Sequence, residues 1–124
     1  MKKNTINWFE IPVADIKRAT SFYEQLLATP LKTETFGPPG KGSPMTVLKS
    51  DGGVSGALVQ VNERKPSNDG ALIYLNVDGE LDTVLGRVSK AGGQVVTPRT
   101  EIGQNGSYAV FRDTEGNHVG LHQS

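Results

Sequence analysis

The sequence repeats one pattern of elements, and this repeat constrains the fold more than any other feature. A short β-type run at 11–15 leads into a helical pattern that ends at Leu27, and a second such run at 75–79 leads into a helical pattern that ends at Ala91. The two copies lie about 64 residues apart. In each half, two strand-like runs then follow around a turn, at 50–53 and at 113–117. Such a repeat indicates one structural unit used twice.

The spacing of apolar residues predicts the elements of each half. Asp15 is a good N-cap for the first helix, Pro30 ends that helix, and Gly92 suits a left-handed position after the second. The predicted helices cover 16–27 and 81–91, and the predicted strands cover 7–13, 31–36, 45–49, 55–61, 71–77, 94–97, 108–112 and 118–122. The loop 101–106 is expected to flank the site, since such loops often carry function.

This order is βαβββ, used twice. We therefore predict one α+β domain over residues 1–124, made of two modules of about 5–62 and 70–123. Together the modules are expected to form a curved mixed sheet around a cavity. A concave space of this kind is where a ligand site is usually found.

Composition argues against several classes of function. Thirteen basic and thirteen acidic residues balance without a run of like charge, so we expect neither a nucleic-acid nor a membrane partner. The chain has no cysteine, which excludes disulfides, thiolate nucleophiles and thiolate metal ligands. No signal peptide and no apolar stretch of roughly 20 residues is apparent, so we expect a cytoplasmic protein.

Three segments resemble the vicinal oxygen chelate superfamily, which includes glyoxalase I, extradiol dioxygenases, fosfomycin-resistance enzymes and bleomycin-resistance proteins. They are Val-Ala-Asp-Ile-Lys-Arg-Ala-Thr-Ser-Phe-Tyr at 13–23, Leu-Asn-Val-Asp at 75–78 and Phe-Arg-Asp-Thr-Glu-Gly-Asn at 111–117. The resemblance covers nearly the whole chain and implies the glyoxalase-like fold. It also implies a homodimer in which modules of different chains complete each cavity. It does not fix the reaction, because one fold hosts many chemistries.

The resemblance implies four positions for metal ligands. They correspond to Trp8 on the first strand, Gln60 on the fourth, Leu72 on the fifth and Gly120 on the last. Trp8, Leu72 and Gly120 cannot bind a divalent cation through their side chains, and such a site needs about three or four oxygen or nitrogen donors. We therefore predict that the family's metal site is absent and that the protein uses no cofactor.

Side chains beside these positions offer other chemistry, because residues two apart on a strand share a face. The predicted catalytic residues are Glu10 and His122. The predicted ligand-binding residues are Trp8, Gln60, Leu72, Tyr74 and Gly120. His118 shares the face of His122 but lies nearest a turn, where it is open to solvent.

Two of these residues keep an alternative interpretation. A carboxylate such as that of Glu10 in an apolar strand needs a partner, so a structural hydrogen bond is the alternative to a functional role. Gly120 either enlarges the pocket or lets the backbone approach a ligand.

Three functions of different classes agree with this pattern. The favoured one is a metal-free protein of the glyoxalase/bleomycin-resistance type that binds a small, partly aromatic or cationic molecule, with Trp8 and Tyr74 stacking on it and Glu10 pairing with its charge. The first alternative is a glyoxalase-type lyase or isomerase, or a dioxygenase-related enzyme, that uses Glu10 and His122 as acid and base. In a variant of it, Glu10, His122 and Gln60 form a shifted metal site. The second alternative is a non-catalytic module that regulates a partner protein.

Overall fold

The computed structural model describes residues 4–124, so residues 1–3 of the predicted domain lie outside the described part. Within that range the elements are β1 (Trp8–Pro12), α1 (Ile16–Leu27), β2 (Thr33–Phe36), β3 (Ser43–Leu48), β4 (Ser55–Val59), β5 (Tyr74–Asn76), α2 (Leu81–Leu85), α3 (Val88–Ala91), β6 (Gln94–Glu101), β7 (Ser107–Arg112) and β8 (His118–Gln123). A single 3₁₀ turn at Gly103–Asn105 lies between β6 and β7.

The strands form two four-stranded mixed sheets with the same internal order. The first sheet runs β1-β4-β3-β2 and the second runs β5-β8-β7-β6. In each, the opening strand of the half pairs parallel with the closing strand, and the other pairs are antiparallel. This confirms the α+β fold built from two βαβββ units, with the strands of each unit hydrogen-bonded in a sheet of their own.

Both predicted helix boundaries of the first half are observed. Asp15 is extended and its carboxylate accepts hydrogen bonds from the backbone N–H groups of Lys17 and Arg18, as an N-cap does. Ala28 closes α1 in the left-handed conformation, two residues before Pro30. In the second half Gly92 takes the left-handed position that the sequence predicts.

Several predicted boundaries were wrong. Strand β6, predicted to end at Thr97, continues to Glu101. The second helix is divided into α2 and α3 at Gly86, a residue that weakens helices, and the following Arg87 donates to the carbonyl of Leu26 at 3.2 Å. Strand β5 begins at Tyr74, so Leu72 precedes it. Strand β4 ends at Val59, so Gln60 follows it instead of lying within it.

The helix-facing sides of both sheets share one apolar core, and α1 contacts both. The Phe22 and Tyr23 rings of α1 lie 5.8 and 6.3 Å from the ring of Phe111 on β7. On the side of the first sheet, the Thr20 hydroxyl of α1 lies 2.8 Å from the hydroxyl of Thr46 on β3. Each sheet therefore has one face in the common core, and we call the other its open face.

The turn at 113–117 fastens the second half to the first. Glu115, whose side chain has no exposed surface, accepts hydrogen bonds from the backbone N–H groups of Ala14 at 2.9 Å and Asp15 at 2.8 Å, and from Nε of Arg18 at 2.6 Å. Burial raises the pKa of Glu115, but these hydrogen bonds and one from Thr114 lower it by more, so its net pKa lies below the ordinary value.

Two further contacts of this turn cross the same boundary. The buried hydroxyl of Tyr23 donates to Oδ2 of Asp113 at 2.8 Å, and Nδ2 of Asn117 donates to the carbonyl of Pro12 at 2.7 Å. Burial, followed by the charge of Asp113, raises the pKa of Tyr23 well above 10. The segment 111–117, one of the three that carry the family resemblance, thus joins the two modules.

No helix among residues 4–124 combines the length and the apolar character that crossing a membrane requires.

Candidate functional site

Alternation along β1 places Trp8 and Glu10 on the open face of the first sheet, as the sequence predicts. Ile11 is buried in the core and Phe9 packs against it, whereas 41% of Trp8 is exposed and Glu10 is exposed too. The indole Nε1 of Trp8 donates to Oε2 of Glu10 at 3.2 Å. The partner that a carboxylate in this strand needs is therefore the neighbouring indole, at the protein surface.

On the open face of the second sheet, Tyr74 lies over Gly120. The two residues are directly paired across β5 and β8. A Cβ atom on Gly120 would fall far inside contact distance of the Tyr74 ring. The glycine at this position therefore neither leaves an empty space nor exposes the backbone, because an aromatic ring covers it.

Around this ring lies a pocket of about 480 Å³, which we call the tyrosine pocket. Its lining residues are Tyr74, Leu75, Asn76, Ile102, Tyr108 and His122. The rings of Tyr74 and Tyr108 meet edge to face, with centroids 6.1 Å apart and planes at 73°. The volume falls within the roughly 300–1,000 Å³ of small-molecule sites, and its walls combine ring faces with a few polar groups.

His122 connects the pocket to the loop that follows β6. Its Nε2 lies 2.7 Å from the carbonyl oxygen of Asn105. The loop is closed on itself, since the N–H of Ile102 donates to the carbonyl of Gly106 at 2.9 Å. Gly106 has a positive φ of 93° and packs against the backbone of Gln123 where a side chain would not fit. This loop flanks the pocket, as the sequence predicts.

The base of the loop is held by an ionic network. Arg99 donates to Oδ2 of Asp82 at 2.7 Å and to Oε2 of Glu101 at 3.2 Å, and the hydroxyl of Ser107 donates to the same oxygen of Glu101. The hydrogen bond from Ser107, then that from Arg99, lowers the pKa of Glu101. This network ties β6 to α2 and positions the loop beside the tyrosine pocket.

The structure does not bring the two predicted catalytic residues into one pocket. His122 lines the tyrosine pocket, whereas Glu10 and His118 line a separate depression of about 240 Å³ between β1, the segment 65–73 and the start of β8. Alternation along β1 and β8 predicts which face of the sheet each residue lies on, but it does not predict which residues of other strands lie beside it.

Gln60 and Leu72 also lie outside the tyrosine pocket. The side-chain oxygen of Gln60 accepts a hydrogen bond from the backbone N–H of Ile16 at 2.8 Å, so it stabilises the start of α1. Leu72 lies before β5 with 41% of its surface exposed. Their assignment as ligand-binding residues stays a prediction.

The described residues do not fit the metal site that the family resemblance implies. Trp8, Leu72 and Gly120 supply no metal-binding side chain, and residues 4–124 contain no group of three or more His, Cys, Asp or Glu that could hold a metal ion. The region where an acid on the last strand would project is filled by the ring of Tyr74.

Tyr108, Ile102 and Asn105 belong to the site but were not predicted as site residues. Tyr108 pairs with His122 across β7 and β8 and faces the same way. Its strand was predicted, and an amphipathic aromatic residue near its start was a usable signal. The contact of Asn105 with His122 spans 17 residues and uses a backbone carbonyl, which no side-chain pattern reveals.

Comparison with known proteins identifies the family. The sequence profile of the Glyoxalase/Bleomycin resistance protein/Dioxygenase superfamily matches residues 5–121. CFP32 of Mycobacterium bovis is 27% identical over 125 residues, which is 99% of this chain, and the chain spans 47% of the length of that relative. A glyoxylase-like domain-containing protein of Didymella fabae is 32% identical over 90% of this chain and 88% of its own.

The solved structures agree in fold. A glyoxalase/bleomycin resistance protein from Albidiferax ferrireducens T118 covers 98% of this chain and 99% of its own with a TM-score of 0.74, at 14% sequence identity. At that identity the similarity establishes the fold alone. With the sequence match over residues 5–121, it shows that the chain belongs to the glyoxalase/bleomycin resistance protein/dioxygenase superfamily.

Proposed function

We propose that this protein binds a small, partly aromatic molecule in the tyrosine pocket without a metal ion. The observation that carries the proposal is the ring of Tyr74 over Gly120, in the region where the family resemblance implies a metal-binding acid. An aromatic surface there favours stacking with a planar ligand and does not supply the carboxylate that the family resemblance implies for a metal site.

The remaining walls of the tyrosine pocket agree with such a ligand. Tyr108 adds a second ring and Ile102 adds an apolar side chain from the loop, while His122 and Asn76 supply polar groups that can orient the ligand. No Asp, Glu, Lys or Arg is among the six lining residues. Binding would therefore depend on ring contacts and a few hydrogen bonds instead of an ion pair.

We also propose that the protein is a homodimer. Apolar side chains remain exposed on both open faces, among them Trp8 at 41%, Phe36 at 42% and Tyr74 at 47%. Exposed apolar surface of this kind is typical of an interaction site. A second copy that covers the tyrosine pocket would add the exposed indole of the partner subunit's Trp8 to its walls. Light scattering at micromolar concentration should give the dimer mass, and a monomer would contradict a shared cavity.

The binding proposal is tested with protein treated with a chelator. Metal analysis should find no stoichiometric ion before or after incubation with nickel, zinc, manganese or iron(II). Ligand-observed NMR with small aromatic compounds, indole and p-cresol among them, should then detect binding to the metal-free protein.

Variants locate the site. Binding should be lost in Tyr74→Ala and kept in Val95→Ala, a change of an exposed apolar residue that pairs with the core residue Phe111 and lies on neither open face. One tightly held metal ion per chain, or binding that survives Tyr74→Ala, would contradict the proposal.

A glyoxalase-type lyase or isomerase is the second candidate, favoured by the presence of an imidazole in the tyrosine pocket. Glu10 lies in another depression of the same chain, so the acid–base pair would need a second copy to assemble. Turnover of the hemithioacetal of methylglyoxal and glutathione, abolished by His122→Ala, would establish an enzyme. Binding without turnover would leave the first proposal standing.

A further inference from the structure

We infer that Nδ1 of His122 is a fixed hydrogen-bond acceptor that makes the tyrosine pocket selective for a planar ring bearing a hydrogen-bond donor, such as a phenol. This inference rests on the proposed function and adds to it the chemical class of the ligand.

The contact with Asn105 fixes the position of the proton on the His122 ring. A backbone carbonyl oxygen can only accept a hydrogen bond, so the 2.7 Å contact with the carbonyl of Asn105 requires that Nε2 of His122 donate. A neutral imidazole carries a single N–H. When that proton is on Nε2, Nδ1 is left with a lone pair and can only accept.

Nδ1 of His122 is available to a ligand. Within residues 4–124 the ring of His122 has the Asn105 carbonyl as its one hydrogen-bond partner, and that partner lies at Nε2. No side-chain nitrogen or oxygen in this part of the chain is both fully buried and unpaired, so Nδ1 remains accessible. His122 lines the tyrosine pocket, so an accessible acceptor on its ring favours a ligand that donates to it, because a ligand that covers the ring without donating leaves the acceptor unpaired.

The other polar side chains of the tyrosine pocket carry two tyrosine hydroxyls and one asparagine amide. The hydroxyls of Tyr74 and Tyr108 rotate and can either donate or accept, so they impose no choice on the ligand. The side-chain oxygen of Asn76 already accepts from the backbone N–H of Asp78 at 2.9 Å. With that oxygen occupied, the Asn76 amide can only donate, and the oxygen of a phenol or an ether can accept from it. Nδ1 of His122 is the side-chain atom of the pocket that can only accept, and we therefore assign the selectivity for a ligand donor to it.

The closed loop keeps this arrangement in place. Asn105 lies in the 3₁₀ turn, and the backbone hydrogen bonds of Ile102 and Gly106 fix the path of the loop on either side of it. The carbonyl that selects the Nε2 proton is therefore part of a structured segment. A fixed partner on one ring nitrogen is how proteins set the tautomer of histidine.

The tautomer can be measured without any ligand. The chain has two histidines, so His118→Gln leaves His122 as the source of all imidazole signals. Long-range ¹H–¹⁵N NMR at a pH where the ring is neutral should show the proton on Nε2. A proton on Nδ1 overturns the inference whether or not a ligand binds.

The selectivity is measured with two probes that share a p-tolyl ring and an ether or hydroxyl oxygen. p-Cresol and 4-methylanisole differ in the hydroxyl proton that a methyl group replaces. We expect p-cresol to bind roughly tenfold more tightly, the factor for one hydrogen bond lost to an unpaired acceptor.

Two variants separate the two nitrogens. His122→Gln places an amide N–H₂ near the position of Nε2 and removes the acceptor, so the preference for p-cresol should vanish. His122→Asn places an amide oxygen near the position of Nδ1, so the preference should persist. A preference that survives in His122→Gln overturns the inference.

The outcomes distinguish this inference from the proposed function. If both probes bind equally and Tyr74→Ala abolishes both, the pocket binds aromatic molecules and His122 does not select among them. If neither probe binds the wild-type protein, the ligand class is wrong, and the broader set of aromatic compounds decides whether the proposed function fails with it.

Discussion

Replacement of Glu115 by alanine should destabilise the fold without touching the tyrosine pocket. The Glu115 carboxylate accepts hydrogen bonds from the N–H groups of Ala14 and Asp15 across about 100 residues of sequence, and its side chain has no exposed surface. Arg18 also donates to it, but 52% of that side chain is exposed and water screens the pair. The loss of stability should therefore come mainly from the two backbone donors and the buried side chain.

The magnitude follows from these contacts. Ala14 and Asp15 are exposed, so water can replace the lost acceptor, and each backbone donor should lose about 0.5–1.5 kcal/mol. Removing the one buried methylene group that alanine lacks, Cγ, adds about 0.8 kcal/mol. The free energy of unfolding should therefore fall by roughly 2–4 kcal/mol in Glu115→Ala, which lowers Tm by about 6–16 °C for a chain of this size.

Urea unfolding followed by circular dichroism measures this difference. Glu34→Ala is the matched control, since Glu34 is an exposed glutamate whose carboxylate lies 3.8 Å from the amine of Lys32. It should change the free energy of unfolding by no more than about 0.5 kcal/mol. If Glu115→Ala loses less than about 1 kcal/mol, or no more than Glu34→Ala, the turn at 113–117 does not join the modules as argued.

Three more predictions follow from the same contacts. The folded-state pKa of Glu115 lies below its ordinary value of 4.5, so the contribution of this carboxylate to stability is present above that pH and is lost as the pH falls further. The difference in stability between the wild type and Glu115→Gln, measured by urea unfolding, should therefore shrink on acidification. A constant difference would count against this prediction. The free energy of unfolding should fall by roughly 1–3 kcal/mol in Tyr23→Phe, because the buried Oδ2 of Asp113 loses one of its two donors. The pKa of Tyr23 is raised, so the pH dependence is reversed: the contribution of its hydroxyl to stability is present below about pH 10 and is lost above it. The fall in Tm at alkaline pH should therefore be smaller in Tyr23→Phe than in the wild type. Gly120→Ala should displace the Tyr74 ring and abolish p-cresol binding with little change in Tm, and unchanged binding would show that the ring does not form the site.

Local patterns in the sequence predicted most of the fold. Asp15 and Gly92 mark helix ends because capping depends on neighbouring residues alone. The faces of Trp8 and Tyr74 follow from alternation, which a strand imposes on every residue. Where Gly86 divides the second helix, the apolar spacing continues across the break, so spacing could not reveal it.

The site was predicted less completely, because a pocket depends on which strands are neighbours. Tyr74 and His122 were predicted to lie together, and they line the same pocket. Tyr108 joins them through the pairing of β7 with β8. Glu10 was expected beside His122, but it faces a different depression with His118.

The sequence by itself determined the repeated βαβββ unit, the face of each strand residue and the absence of metal-binding side chains at Trp8, Leu72 and Gly120. These properties depend on residue type and on spacings of a few residues, which the chain carries locally. Only the tertiary structure decided that Tyr74 covers Gly120, that Asn105 holds Nε2 of His122, and that the turn at 113–117 fastens α1 to the second half. Those contacts join atoms from separate elements. The first two need the strands and the loop of the second module to come together, and the third, across about 100 residues, needs the two modules to pack into one core.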